Sequence, residues 1–130
     1  MVMTIAYWCV LIALMLPYVA TVFAKSGSSG FKVKHNKDPR EFLAMAQGAT
    51  KRANNAQKNG FEITPGFAAA VIIAHLAAGA EQGLLDQLAI AFVISRVLYT
   101  WCYIADWALL RSLIWFVGLA LVVSLFVVSA

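Results

Sequence analysis

Four polar side chains, Arg52, Asn55, Asn59 and Glu62, recur at steps of three, four and three residues. On an α-helix that spacing places all four on one face. Further on, Arg96, Tyr99 and Tyr103 repeat the pattern, and Arg111-Ser112 stands at the head of a long apolar run. A carboxylate, amides, phenols and guanidinium groups gathered in this way suit the binding of a small polar molecule and the holding of negative charge. An arginine near a bound thiol lowers the thiol's pKa and favours the thiolate, its nucleophilic form. The chain has no phosphate-binding glycine loop, catalytic triad or metal-ligand pattern. Any reaction here therefore works by positioning and electrostatics on a reactant that brings its own reactive group.

Each of these residues also has a plainer reading. Arg96 falls near the middle of an apolar helix, where an arginine costs about 3 kcal/mol unless it is paired or reaches the interface. Glu62, on the antiparallel neighbouring helix, is the expected partner, in a structural ion pair, in direct ligand contact, or in both. Arg111 is either an anchor that extends to the interface or the group that stabilises a bound thiolate. Tyr99 and Tyr103 either pack as aromatics or donate hydroxyls. His75, alone in an apolar run, reads as a helix–helix hydrogen-bonding residue, and His35 as an exposed residue of a solvated loop. Cys9 and Cys102 lie in apolar stretches without a CxxC or Cys/His cluster, the pattern of buried thiols.

The elements that must position these groups follow from composition. The 130 residues are 62% hydrophobic and 12% charged, with a mean hydropathy of +0.80. Soluble domains are about half apolar and a quarter charged, so this is the composition of a membrane protein, with room for about four spans in one domain. The net charge of +4 is concentrated in residues 25–58, between apolar stretches. That distribution speaks for orientation in a membrane and against nucleic acid as a partner.

Residues 1–24 carry no charge and form the first span, about 4–24, interrupted by Pro17, with Tyr7 and Trp8 near an interface. A cleaved leader ending at Val22-Phe23-Ala24 is the competing reading, opposed by the length of the run and the absence of Lys or Arg before it. Ser26-Gly27-Ser28-Ser29-Gly30 has the composition of a flexible turn. Asp38-Pro39-Arg40-Glu41 carries the residues of a helix start, from which one long helix is expected to continue to about Ala78. Its part within the membrane covers about 61–79, loosened at Pro65-Gly66. Residues 25–60 make a polar loop and helix extension. Two further spans cover about 84–105 and 109–128. Because the first connection holds most of the Lys and Arg and the second holds none, the positive-inside rule puts the first and third connections on the cytoplasmic side. Arg52 to Glu62, Tyr103 and Arg111 then converge at that side of the membrane.

The order of these motifs resembles one known family. Arg52-Ala53 followed by Asn59-x-x-Glu62-x-x-Pro65 is similar to the helix-two signature of MAPEG, the membrane-associated proteins in eicosanoid and glutathione metabolism. Ser95-Arg96-Val97-Leu98-Tyr99-Thr100-Trp101-Cys102-Tyr103 and Leu110-Arg111-Ser112 are similar to its helix-three and helix-four signatures. The resemblance covers nearly the whole chain, including its length. It implies an all-α integral membrane four-helix bundle that assembles as a homotrimer, with glutathione as co-substrate bound between subunits. It also implies glutathione-dependent transferase or peroxidase chemistry on a lipophilic small molecule. Asn59, Glu62, Arg96, Tyr99 and Tyr103 match positions that hold glutathione or brace its site, and Arg111 matches the arginine associated with the thiolate. Arg52, one turn before Asn55, and Lys58 are the two residues that could compensate at Asn55, and Arg52 is added as a binding residue. The chain departs from the pattern at Asn55-Ala56-Gln57, where many members carry a second Arg-Ala pair followed by His. Asparagine supplies neither the charge nor the fork of arginine. A non-catalytic membrane protein that keeps the bundle without the chemistry is the alternative. A bacterial-type protein of the inner membrane is the expected setting.

Overall fold

A computed structural model describes residues 2–27 and 30–130, among which all regular structure is helical. The elements are α1 (Ile5–Lys25), a 3₁₀ turn (Val33–Lys37), α2 (Pro39–Ala44), α3 (Gly48–Ala77), α4 (Gln82–Ile104) and α5 (Ala108–Val128). Helices α1, α3, α4 and α5 are long and apolar enough to cross a bilayer. They pack as a four-helix bundle. Many large apolar side chains on their outer faces are exposed, among them Leu109, Phe116 and Val127. In water such surfaces are unfavourable; against lipid tails they cost nothing.

Small residues let α1 and α3 approach closely. On α1 the buried face is Ala6, Cys9, Ala13, Pro17, Ala20 and Ala24, at helical spacing. Gly60 of α3 sits against the Pro17 ring, where a Cβ would come within 2.7 Å of Cγ. Pro17 has no N–H for the Ala13 carbonyl. The Thr64 hydroxyl lies 3.5 Å from that oxygen while donating to the Gly60 carbonyl at 2.6 Å. Between α3 and α4, the buried rings of Phe67 and Phe92 stack with centroids 3.9 Å apart.

The ends of the bundle are tied by polar contacts. Thr4 caps α1 by accepting the Tyr7 N–H at 3.1 Å. Asp86 of α4 accepts the Ala6 N–H at 2.9 Å and the Gln82 side-chain amide at 2.8 Å through one oxygen. His75, read from sequence as a helix–helix hydrogen-bonding residue, meets Gln82 Oε1 at 3.0 Å. At the opposite end α4 and α5 are joined through Ala105, Asp106 and Trp107. Asp106 takes a left-handed φ of 65°, and the Trp107 N–H reaches back to the Cys102 carbonyl at 2.9 Å.

Two expectations differ from the structure. The helix starting after Asp38 is not continuous, although Asp38 does cap it by accepting the Glu41 N–H at 3.0 Å. It stops at Ala44 and a new helix begins at Gly48. Gly48 has a φ of 60°, a left-handed backbone that breaks a right-handed helix. His35 is not a free loop histidine. Its Nδ1 accepts the Lys32 N–H at 2.8 Å, and its ring lies 4.5 Å from that of Phe42 and 5.8 Å from that of Phe31. Helix α3 continues through Pro65-Gly66 to Ala77. Of the glycine–serine turn, Ser28 and Ser29 lie outside the described residues.

Candidate functional site

The site is assembled by α3, α4 and the first turns of α5. Asn59 lies on α3 one turn before Glu62, and Arg96, Tyr99 and Tyr103 occupy one face of α4. Arg96 Nη2 donates to Asn59 Oδ1 at 2.9 Å, and Asn59 Nδ2 faces Glu62 Oε2 at 3.5 Å. The Arg96 guanidinium also lies 4.1 Å from the Tyr99 ring centroid. Both residues are only 5% exposed. Tyr99 meets Tyr103 edge to face at 5.7 Å, and the Arg111 guanidinium covers the Tyr103 ring at 4.4 Å. The result is an unbroken line of contacts from Glu62 through Asn59, Arg96, Tyr99 and Tyr103 to Arg111.

Beside this line opens a cleft of about 240 Å³, lined by Asn59, Tyr99, Tyr103, Arg111, Ser112, Trp115 and Phe116. Its chemistry is mixed. An amide, two phenols, a hydroxyl and a guanidinium share the lining with the Trp115 and Phe116 rings, which lie 5.1 Å apart. Cation–ring contacts such as Arg111 on Tyr103 hold a guanidinium in place without consuming its N–H donors. Arg111 is half-buried, and among the described residues its guanidinium makes no hydrogen bond, which leaves its donors open to an anion.

The structure brings Asn59, Tyr99, Tyr103 and Arg111 to one cleft and places Arg96 directly behind it. Glu62 stands at the exposed end of the contact line, outside the cleft lining. The expected Arg96–Glu62 ion pair does not form: among the described residues no such pair comes within 4.0 Å. Asn59 intervenes, and Glu62 stays exposed. Arg52 also goes elsewhere. Its Nε donates to the Ile104 carbonyl at 3.1 Å, satisfying an acceptor in the last turn of α4 that has no helical partner. Asn55 is half-buried. Its neighbours Asn54 and Gln57 bond to each other at 2.7 Å, and Gln57 also meets the Thr21 hydroxyl of α1. This part of the strip fastens helices together.

Trp115 and Phe116 are cleft residues that the polar motifs alone do not point to. A signal is present for Trp115, which comes four residues after Arg111 and so shares its helix face.

The MAPEG family model matches residues 5–130, essentially the whole chain. The protein belongs to the MAPEG family, and it is an integral membrane protein with four apolar helices. No curated protein and no solved structure matches it.

Proposed function

We propose that this protein is a glutathione-dependent membrane enzyme, a transferase or peroxidase acting on lipophilic electrophiles. The observation that carries the reading is Arg111, held over Tyr103 in a cleft lined by both polar and aromatic side chains, with no hydrogen bond from its guanidinium among the described residues. Glutathione is an anionic tripeptide with a thiol. Arg111 holds the thiolate charge, and the Ser112 hydroxyl supplies a second donor beside it. Tyr99, Tyr103 and Asn59 offer hydrogen bonds to the peptide, and Glu62 suits its ammonium group. Arg96 braces Asn59 and adds positive potential from behind. In a transfer the sulfur lone pair forms the new C–S bond as the leaving group departs with its electron pair. With a peroxide the thiolate attacks oxygen, the O–O bond breaks to give an alcohol, and a second glutathione yields the disulfide and water.

The same reading places the domain in a bacterial inner membrane as a homotrimer. The basic segment 25–60 and the turn between α4 and α5 face the cytoplasm. Ultraviolet difference spectra of detergent-purified protein with glutathione test it. A thiolate band is expected for the natural chain and none for Arg111→Ala at unchanged helix content. An undiminished band in the variant overturns the role of Arg111.

One observation favours the non-catalytic alternative. Asn55 stands where many members carry arginine, and Arg52, which is near enough in sequence to substitute, is engaged at the Ile104 carbonyl. A ligand that binds the folded state must stabilise it. Absence of any glutathione-dependent rise in the thermal unfolding temperature, even at millimolar ligand, selects that alternative.

A further inference from the structure

We infer that a second pocket, between the end of α1 and the segment leading into α3, binds the zwitterionic headgroup of an aminophospholipid. It takes the phosphate on its basic groups and the primary ammonium on its acidic ones. The pocket measures about 720 Å³, larger than the cleft at Arg111. Ala24, in the last turn of α1, and Gly27 just beyond it form one wall. The pocket therefore sits where a membrane span leaves the hydrocarbon, the depth of lipid headgroups.

Its charges come in both signs. Lys34 and Lys37 of the 3₁₀ turn face into the same space as Asp38 and Glu41 at the start of α2, and none of them forms an ion pair within 4.0 Å among the described residues. A simple anion would be opposed by two carboxylates and a simple cation by two ammonium groups. A molecule with phosphate and ammonium a few ångströms apart satisfies both sets. His35 adds a donor. Its Nδ1 accepts the Lys32 N–H, so the neutral ring carries its proton on Nε2. Asp38 commits Oδ1 to the Glu41 N–H and keeps Oδ2. The segment is fixed by aromatic contacts: Phe31 meets Phe42 edge to face at 5.2 Å, and the Lys25 ammonium lies 4.5 Å over the Phe31 ring. Phe42 and the exposed Met45 give the pocket an apolar side for the glycerol end of a lipid.

A primary ammonium donates hydrogen bonds to carboxylates, which a quaternary ammonium lacks, so the pocket distinguishes ethanolamine from choline lipids. Native mass spectrometry of the full chain in detergent tests this. The protein is titrated with phosphatidylethanolamine, phosphatidylcholine and phosphatidylglycerol of matched acyl chains. The ethanolamine lipid is expected to bind about tenfold more tightly than either of the others. Lys34→Gln with Lys37→Gln should weaken all three lipids about tenfold, because each presents the phosphate, and leave the preference for ethanolamine over choline in place. Glu41→Gln should weaken the ethanolamine lipid and strengthen the anionic phosphatidylglycerol, a change of sign that loss of folding does not produce. Equal affinities for the three lipids, or a preference for phosphatidylglycerol in the natural chain, overturn the inference. Displacement of the bound lipid by millimolar glutathione also overturns it, because the pocket would then accept the free peptide.

Discussion

Arg96 on α4 donates to the side-chain carbonyl of Asn59 on α3 at 2.9 Å, so a neutral amide, not a carboxylate, receives the buried guanidinium. The bond joins two spans and also fixes the residue that forms part of the cleft wall. Asn59→Leu leaves a buried charge without this acceptor and should destabilise the protein by about 2 kcal/mol or more. Asn59→Asp keeps an acceptor and should lose far less. Thermal unfolding in one detergent compares the three chains, and equal midpoints would dissociate this bond from stability.

Trp115 shares a face of α5 with Arg111, one turn further into the apolar run. On the proposed function it forms the surface on which an electrophile rests. Trp115→Ala should raise KM for an aromatic electrophile about three- to tenfold. Glutathione affinity and the thiolate band should stay unchanged. Initial rates at saturating glutathione provide the comparison, and an unaltered KM removes Trp115 from the substrate wall.

Gly60 is small because Pro17 occupies the space beside it. Gly60→Ala places a methyl within 2.7 Å of the Pro17 ring and should cost about 1–3 kcal/mol. Pro17→Ala in the same chain should restore much of the loss, a coupling that a double-mutant cycle measures. Additive effects would show that the two residues do not press on each other.

Asp86 acts as a cap supplied from a different helix, through its bond to the Ala6 N–H. Asp86→Ala should cost about 1–2 kcal/mol and speed amide exchange at Ala6. Asp86→Asn retains the carbonyl acceptor and should preserve most of both. Hydrogen exchange at Ala6 reads this directly, and unchanged protection in Asp86→Ala would rule out the cap.

The features legible in the sequence have short-range causes. The four apolar helices arise from runs of uncharged residues, and Asp38 caps its helix because the cap is a contact across three residues. The Arg96 partner is less accessible. Asn59 and Glu62 are three apart on one face, so periodicity brings both to Arg96 and charge alone favours the wrong one. Arg52 eludes the sequence for a different reason. Its acceptor, the Ile104 carbonyl, lies 52 residues away and is available only because α4 ends there. The break before α3 turns on the backbone of Gly48, which an otherwise helical pattern conceals. Phe31, His35 and Phe42 form a cluster across a turn whose path no spacing rule gives.

The short connection through Ala105, Asp106 and Trp107 sets the phase between Tyr103 and Arg111, whose facing geometry makes the cleft. Each residue incorporated into an α-helix rotates the chain beyond it by about 100°. An insertion between Tyr103 and Arg111 that entered either helix would turn the guanidinium away from the ring. Surface turns ordinarily tolerate changes of length, but this one acts as an angular gauge, and its residue count is as much a part of the site as Arg111 itself.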